Sequence, residues 1–185
     1  MTAILKVDTI QDTAGNNIIN ESSNTITIGA SGDTVAIPSG ATITGSGLGK
    51  ILQVVSATDS SERTTTSGSF VTASNTLSVD ITPSATSSKI YIICNTSFGT
   101  NSANNQAEVT LYRDSTNLGT STGMMSNIIT SSTTIRTPGT MTILDSPSST
   151  SELTYQVYCK AAGGATLTLN WNNTKSSITA FEIGA

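Results

Sequence analysis

Residues 44–50, TGSGLGK, are the part of the sequence that comes nearest to a phosphate-binding loop. A P-loop wraps backbone N–H groups around the phosphates, reaches them with a lysine and holds Mg²⁺ with the Ser or Thr that follows. With Gly49 and Lys50 as the Gly-Lys pair, the leading glycine would fall on Thr44 and the hydroxyl on Ile51. The next segment is apolar and β-branched, not a helix whose N-terminus would face the phosphates. We therefore interpret this stretch as a hinge between two parts of the chain.

The remaining polar residues do not form a recognisable catalytic arrangement. The sequence has no histidine, so Ser-His-Asp and Cys-His nucleophiles and histidine-based metal centres are excluded. The closest charged clusters are Asp59 with Glu62, predicted to be a turn, and Arg113 with Asp114, predicted to be a hairpin tip. Residues 12–17, DTAGNN, lack the later oxygen ligands and the distal glutamate of a calcium loop. We expect no enzymatic activity, no cofactor and no metal ion.

The cysteines and the large aromatic residues have alternative interpretations. Cys94 and Cys159 lie in apolar segments and are expected to be small buried side chains, with a cross-strand disulfide as the alternative. Trp171, Tyr155 and Tyr158 could stack on sugars. At strand spacing, however, we predict that they pack in the core or between chains.

The composition predicts an all-β protein. Only 11% of the 185 residues are charged, whereas disordered chains are usually rich in charge and proline. Abundant Thr, Ile and Val favour strands. The net charge of −4 suggests no nucleic-acid or anionic-membrane partner. Because the N-terminus does not resemble a signal peptide and no apolar run approaches about 20 residues, we expect synthesis in a cytoplasm and no membrane insertion.

Residues 50–185 show the pattern of an antiparallel β-sandwich. Short apolar runs alternate with polar turns, and strict alternation within a run indicates one buried and one solvated face. Residues 113–119 and 161–165 are predicted to form hairpin connections. We predict a sandwich of jelly-roll type. The clearest alternating runs are Leu77/Val79/Ile81, Val109/Leu111 and Leu167/Leu169/Trp171.

Residues 1–49 have a different pattern, with no Phe, Tyr, Trp or Cys. Ile10, Ile19, Ile28 and Ile37 recur every nine residues, and turn sequences lie between them. Short strands at fixed spacing predict a repeat that buries its aliphatic side chains only against copies of itself. We therefore predict a short N-terminal β-repeat stem and assign these isoleucines to assembly with other chains.

Several motifs resemble structural proteins of tailed phages, especially marine and cyanobacterial phages. They are LKVDTIQDTAGNNI (5–18), TITIGASGDTVAIPSGAT (25–42), GLGKILQVVS (47–56) and the final SITAFEIGA (177–185). In that group, similar motifs occur in tail fibres and in related virion proteins of unassigned role. The resemblance extends over nearly the whole chain and implies a component of a virion.

The resemblance implies a homotrimeric, non-enzymatic tail-fibre-like protein. Its stem would dock onto other virion proteins of the tail or capsid, and loops of its head would bind a host surface glycan or protein. The main alternative is a capsid decoration or head-fibre protein that stabilises the shell as a cement. A secreted lectin-like module and a fibre-associated depolymerase are weaker alternatives.

Overall fold

The chain, described by a computed structural model, divides into two units, residues 1–45 and residues 46–185. The hinge segment and Ile37 lie outside the residues that the structure describes, so both remain predictions from the sequence. The described residues are 9–11, 13, 17–22, 25–28, 31–36, 51–129 and 135–184.

The N-terminal unit contains a three-stranded antiparallel sheet in the order β1-β2-β3. Each strand pairs with the next one along the chain. The strands are rich in Ile and Thr, whose branched side chains favour the extended backbone. They are β1 (Thr9–Gln11), β2 (Asn17–Ser22) and β3 (Thr25–Ile28).

The C-terminal unit is built from two antiparallel sheets. Among the described residues, no helix is long and apolar enough to cross a membrane. The strands are β4 (Ile51–Asp59), β5 (Arg63–Thr65), β6 (Ser78–Ile81), β7 (Lys89–Thr100), β8 (Asn105–Arg113), β9 (Thr116–Asn117), β10 (Met125–Ile129), β11 (Ile135–Asp145), β12 (Leu153–Ala161), β13 (Leu167–Leu169) and β14 (Ser176–Ile183).

The longer strands pair in a nested order. β4 pairs with β14, β6 with β12, β7 with β11, and β8 with β10. The first strand therefore pairs with the last, the second with the second-last, and so on inward. A long hairpin rolled up in this way is a jelly roll, with β4-β14-β7-β11 in one sheet and β6-β12-β8-β10 in the other. The predicted antiparallel sandwich of jelly-roll type is confirmed.

The core lies between the two sheets. Along β12 every second residue from Leu153 to Ala161 is buried, and β14 alternates in the same way. Because successive strand residues point to opposite faces, this alternation gives each sheet one face in the core. Among the larger buried side chains are Tyr155, Phe98, Leu77, Ile81, Ile90, Ile92, Leu111, Met141, Leu167, Leu169 and Ile178.

Two predicted connections have different outcomes. Residues 113–119 form the predicted hairpin, because β9 pairs back onto the end of β8. Residues 161–165 do not, because they carry the chain from β12 in one sheet to β13 in the other. Gly163 and Gly164 have φ angles of +69° and +78°. This left-handed backbone suits glycine and turns the chain out of the first sheet.

One predicted strand is wrong and another ends early. Residues 69–73, SFVTA, are a short apolar run of the kind from which strands were predicted, but they make only an isolated bridge, between Val71 and Cys159. The positive φ of Ala73 turns the chain there. The alternation predicted through Trp171 stops at β13. Asn170 has a φ angle of 52°, and a 3₁₀ turn, Trp171–Asn173, follows.

Cys94 and Cys159 are both free and buried. They belong to the hydrophobic core cluster, as the sequence predicted. Burial raises the pKa of each thiol to about 12. Since the thiolate is the reactive form, both cysteines are protected from oxidation and alkylation in the folded protein.

A buried carboxylate connects the two sheets at the end where β4 begins. Glu182 of β14 is 1% exposed. Its Oε2 accepts a hydrogen bond from Gln53 Nε2 at 2.7 Å, and its Oε1 accepts bonds from Ser84 N and Ser84 Oγ, both at 2.6 Å. Burial alone raises the pKa of this carboxyl. The hydrogen bonds from Ser84 and Gln53 outweigh burial and lower the pKa to about 2.

We expect this carboxyl to make the fold sensitive to acid. Its pKa is lower in the folded chain than its ordinary value of 4.5, so its contribution is present above pH 4.5 and is lost as the pH falls towards 2. The loss amounts to about 3 kcal/mol of unfolding free energy. Glu182→Gln should be less stable than the wild type at pH 7 and should lose less stability between pH 6 and pH 3.

Urea unfolding monitored by circular dichroism at several pH values measures both effects. Glu152→Gln is the matched control, because it makes the same change at an exposed carboxyl. Parallel pH profiles for the wild type and Glu182→Gln would show that this carboxylate does not carry the acid sensitivity.

Candidate assembly surfaces

The isoleucines predicted to drive assembly fall into one line across the N-terminal sheet. Ile10 is the Cα partner of Ile19, and Ile19 is the Cα partner of Ile28. The nine-residue spacing therefore corresponds to one strand plus one connection, which returns the chain to the same register position. Ile37 lies outside the described residues.

The neighbouring line of the same sheet is polar. Thr9 pairs with Asn20, and Asn20 pairs with Thr27. Since successive strand positions belong to opposite faces of a sheet, the aliphatic line and the polar line belong to opposite faces. By register, one face of the small sheet is mainly aliphatic, with Glu21 opposite Ile26 at its end.

Three isoleucines of this face are exposed to solvent in the single chain. The exposed fractions of the side chains are 39% for Ile10, 56% for Ile28 and 66% for Ile26, which lies two positions before Ile28 on β3. Fully burying one isoleucine is worth roughly 1.5–3 kcal/mol. A sheet of three short strands needs such burial, because a hydrophobic face must be covered for the sheet to be stable in water.

A second aliphatic and aromatic row crosses the outer face of the C-terminal unit. Val54 on β4 pairs with Phe181, Phe181 with Tyr91, and Tyr91 with Leu144 on β11. Val54 is 53% exposed and Leu144 is 50% exposed. The rings of Tyr91 and Phe181 lie between them with centroids 6.3 Å apart. We call these residues the outer-face row.

The outer-face row can be predicted only in part from the sequence. The alternation along β14 shows that Phe181 belongs to one face of the sheet and that Ala180 and Glu182 belong to the other. It does not show which of the two faces packs in the core. The row also depends on pairing between strands that are far apart in the chain. Only the fold brings β4, β7, β11 and β14 together.

The charged clusters noted in the sequence have structural roles. Asp59 accepts hydrogen bonds from Ser61 N at 2.8 Å, Thr76 N at 3.0 Å and Arg63 Nε at 3.1 Å. Although burial by itself raises its pKa, these bonds hold the pKa of Asp59 below its usual value. Glu62 accepts a bond from a backbone N–H, at 2.9 Å. The two carboxylates do not form a paired acid and base.

Arg113 does not form a cluster with its sequence neighbour Asp114. Its Nη1 donates to both carboxylate oxygens of Asp145 at 2.9 and 2.7 Å, and the Tyr155 hydroxyl donates to the same carboxylate at 2.6 Å. Tyr155 is fully buried. This group connects the end of β11 to β8 and β12 in the other sheet, so Tyr155 is a core residue, one of the two roles predicted for it.

Within the described residues, no group of three or more His, Cys, Asp or Glu side chains could hold a metal ion.

Comparison with known proteins gives a remote likeness in fold only. No family model and no curated protein matches the chain. The VP2 subviral particle of infectious bursal disease virus is 15% identical, with a TM-score of 0.37, and the match covers 72% of this chain and 38% of that one. The T13 viral particle of the same virus is 14% identical, with a TM-score of 0.38, and the match covers 83% and 40%. The chain thus spans about two fifths of the length of these structures, and at these scores the likeness carries no argument about function.

We expect the aliphatic line of the N-terminal sheet to carry self-association. Ile28→Lys places a charge on this line and should lower the molar mass in solution, measured by light scattering after size exclusion. Thr27→Lys is the matched control, since it adds the same charge at the adjacent position in the polar line. Equal masses for the wild type and both variants would contradict the assignment of these isoleucines to assembly.

Proposed function

We propose that the chain is a non-enzymatic, tail-fibre-like structural protein of a phage virion that works as a homotrimer. The observation that carries the proposal is the line of isoleucine positions across the N-terminal sheet, open to solvent at Ile10 and Ile28. An uncharged, self-similar line of this kind fits copies of itself. The resemblance of residues 5–18 and 25–42 to phage virion proteins supports placing this assembly on a virion.

The outer-face row supplies a second contact between copies. Its first strand, β4, begins directly after the hinge predicted in the sequence. Exposed apolar groups that form a contiguous patch commonly mark protein–protein contacts. In a closed trimer the same row on each copy would be covered without leaving an open edge for further growth.

The head is proposed to face outward and bind a host surface molecule. A jelly roll is a rigid scaffold whose loops can vary without disturbing the core, and binding residues concentrate on such loops.

The trimer is tested by the mass of the purified full-length chain. We expect three times the 19.0 kDa of one chain. Val54→Lys should weaken the association, because it places a charge in the outer-face row. Thr58→Lys adds the same charge on the same face of β4, outside the row, and should leave the mass unchanged. A wild-type monomer at micromolar concentration would refute the trimer.

The outward-facing role is tested by competition for adsorption. Purified trimer should reduce phage attachment to the host in proportion to its concentration, because it occupies the same surface molecules. Attachment that is unaffected, together with a capsid that loses resistance to heat or low ionic strength when the protein is missing, would favour the decoration role instead.

A further inference from the structure

A polar groove lies on the outer face of the β4-β14-β7-β11 sheet, beyond the outer-face row. It has a volume of about 350 Å³. Thr140 Oγ1 donates to Asn95 Oδ1 at 2.6 Å, which leaves the Asn95 amide NH₂ as a donor for a ligand. The Ser97 and Thr174 hydroxyls are 2.6 Å apart. The groove is lined by Asn95, Thr96, Ser97, Pro138, Gly139, Thr140, Thr174 and Lys175.

The only tryptophan of the chain lies beside this groove. Arg136 on β11 places its guanidinium 4.7 Å from the centre of the Trp171 ring, and Pro138, two positions along the same strand, lines the groove. The 3₁₀ turn that begins at Trp171 leads directly to the lining residues Thr174 and Lys175. An aromatic ring, a guanidinium and a row of hydroxyl and amide groups are thus neighbours on one surface.

The turn that contains Trp171 is fixed by hydrogen bonds of the preceding residue, Asn170. Asn170 is fully buried. Its backbone N–H donates to the Ser97 carbonyl at 2.9 Å, and its side-chain Nδ2 donates to the Ser61 carbonyl at 3.0 Å. Its Oδ1 accepts a bond from the Ser176 hydroxyl. An aromatic side chain held on a fixed backbone can bind a ligand with little loss of conformational entropy.

The charge around the groove is positive on a chain whose net charge is −4. Within the part of the chain that the structure describes, neither Lys175 nor Arg136 forms an ion pair, whereas Arg63, Arg113 and Lys160 do. The acidic residue in contact with the turn is Glu62, and its carboxylate accepts a hydrogen bond from Asn172 N at 2.9 Å.

We propose that this groove binds an acidic polysaccharide, a chain of sugar rings that bear carboxylates. A sugar ring would pack against the face of Trp171 that Arg136 does not cover, hydroxyl groups would bond to Asn95 and Thr140, and a carboxylate would lie between Lys175 and Arg136. The inference rests on the proposed role of the head as the outward-facing part and names its ligand class. The groove is compatible with the trimer, because Asn95 lies four positions, or about 13 Å, along β7 from the outer-face row at Tyr91.

Trp171 itself reports binding, since it is the only tryptophan. Titrating the full-length protein with oligogalacturonate, a carboxylated oligosaccharide, should change the tryptophan emission in a saturable way. Maltohexaose, which is neutral, should bind at least about tenfold more weakly. Lys175→Gln should weaken oligogalacturonate binding by about tenfold or more, the range expected for a charge-assisted hydrogen bond.

Lys89→Gln is the matched control, because Lys89 is an exposed lysine at the opposite end of the same sheet. Equal weakening by Lys89→Gln would show non-specific attraction between charges and overturn the site. No change in emission with either oligosaccharide would also overturn it, and equal affinity for both would overturn the acidic class. The mass of the same sample separates the two hypotheses: a trimer that binds neither sugar refutes only this inference, and a monomer that binds oligogalacturonate refutes only the trimer.

Discussion

The register of β7 is the constraint on which the rest of the C-terminal unit depends. This strand pairs along one edge with β11 over its length, and along the other edge first with β14 and then with β13. Its buried positions, from Ile90 to Phe98, belong to the core, while Tyr91 and Asn95 face outward. A shift of one residue would exchange the two sets. The core, the outer-face row and the polar groove would all be lost together.

The two sheets are connected at their ends by carboxylates that bind mostly neutral donors. Glu182 is held by Ser84 and Gln53 where β4 begins, and Asp59 is held by backbone N–H groups and Arg63 where β4 ends. In a chain with so few charges, hydroxyl, amide and backbone donors supplement ion pairs such as that of Arg113 with Asp145. Because neutral donors lower the pKa of Glu182, the stability of the sandwich depends on pH.

Local alternation in the sequence was enough to predict the sandwich, because apolar and polar residues alternate within each strand as buried and exposed positions do. The nine-residue spacing of isoleucine likewise predicted positions that the fold aligns at Ile10, Ile19 and Ile28. The sequence wrongly predicted that Trp171 belongs to a strand, because the alternation of Leu167 and Leu169 extends to residue 171. The left-handed backbone of Asn170 ends the strand before it. The groove could not be predicted at all, since Asn95, Thr140 and Lys175 are brought together only by pairing between distant segments.

The outward-facing positions of β7 divide one sheet face into an apolar half and a polar half. From Tyr91 to Ile93 these positions are apolar, and from Asn95 to Ser97 they are polar. The paired strand β11 changes in the same place, from Leu144 to Thr140. The apolar half lies next to the start of β4. The polar half lies further along the strands, so the proposed ligand and the proposed contact between copies would use separate parts of this face.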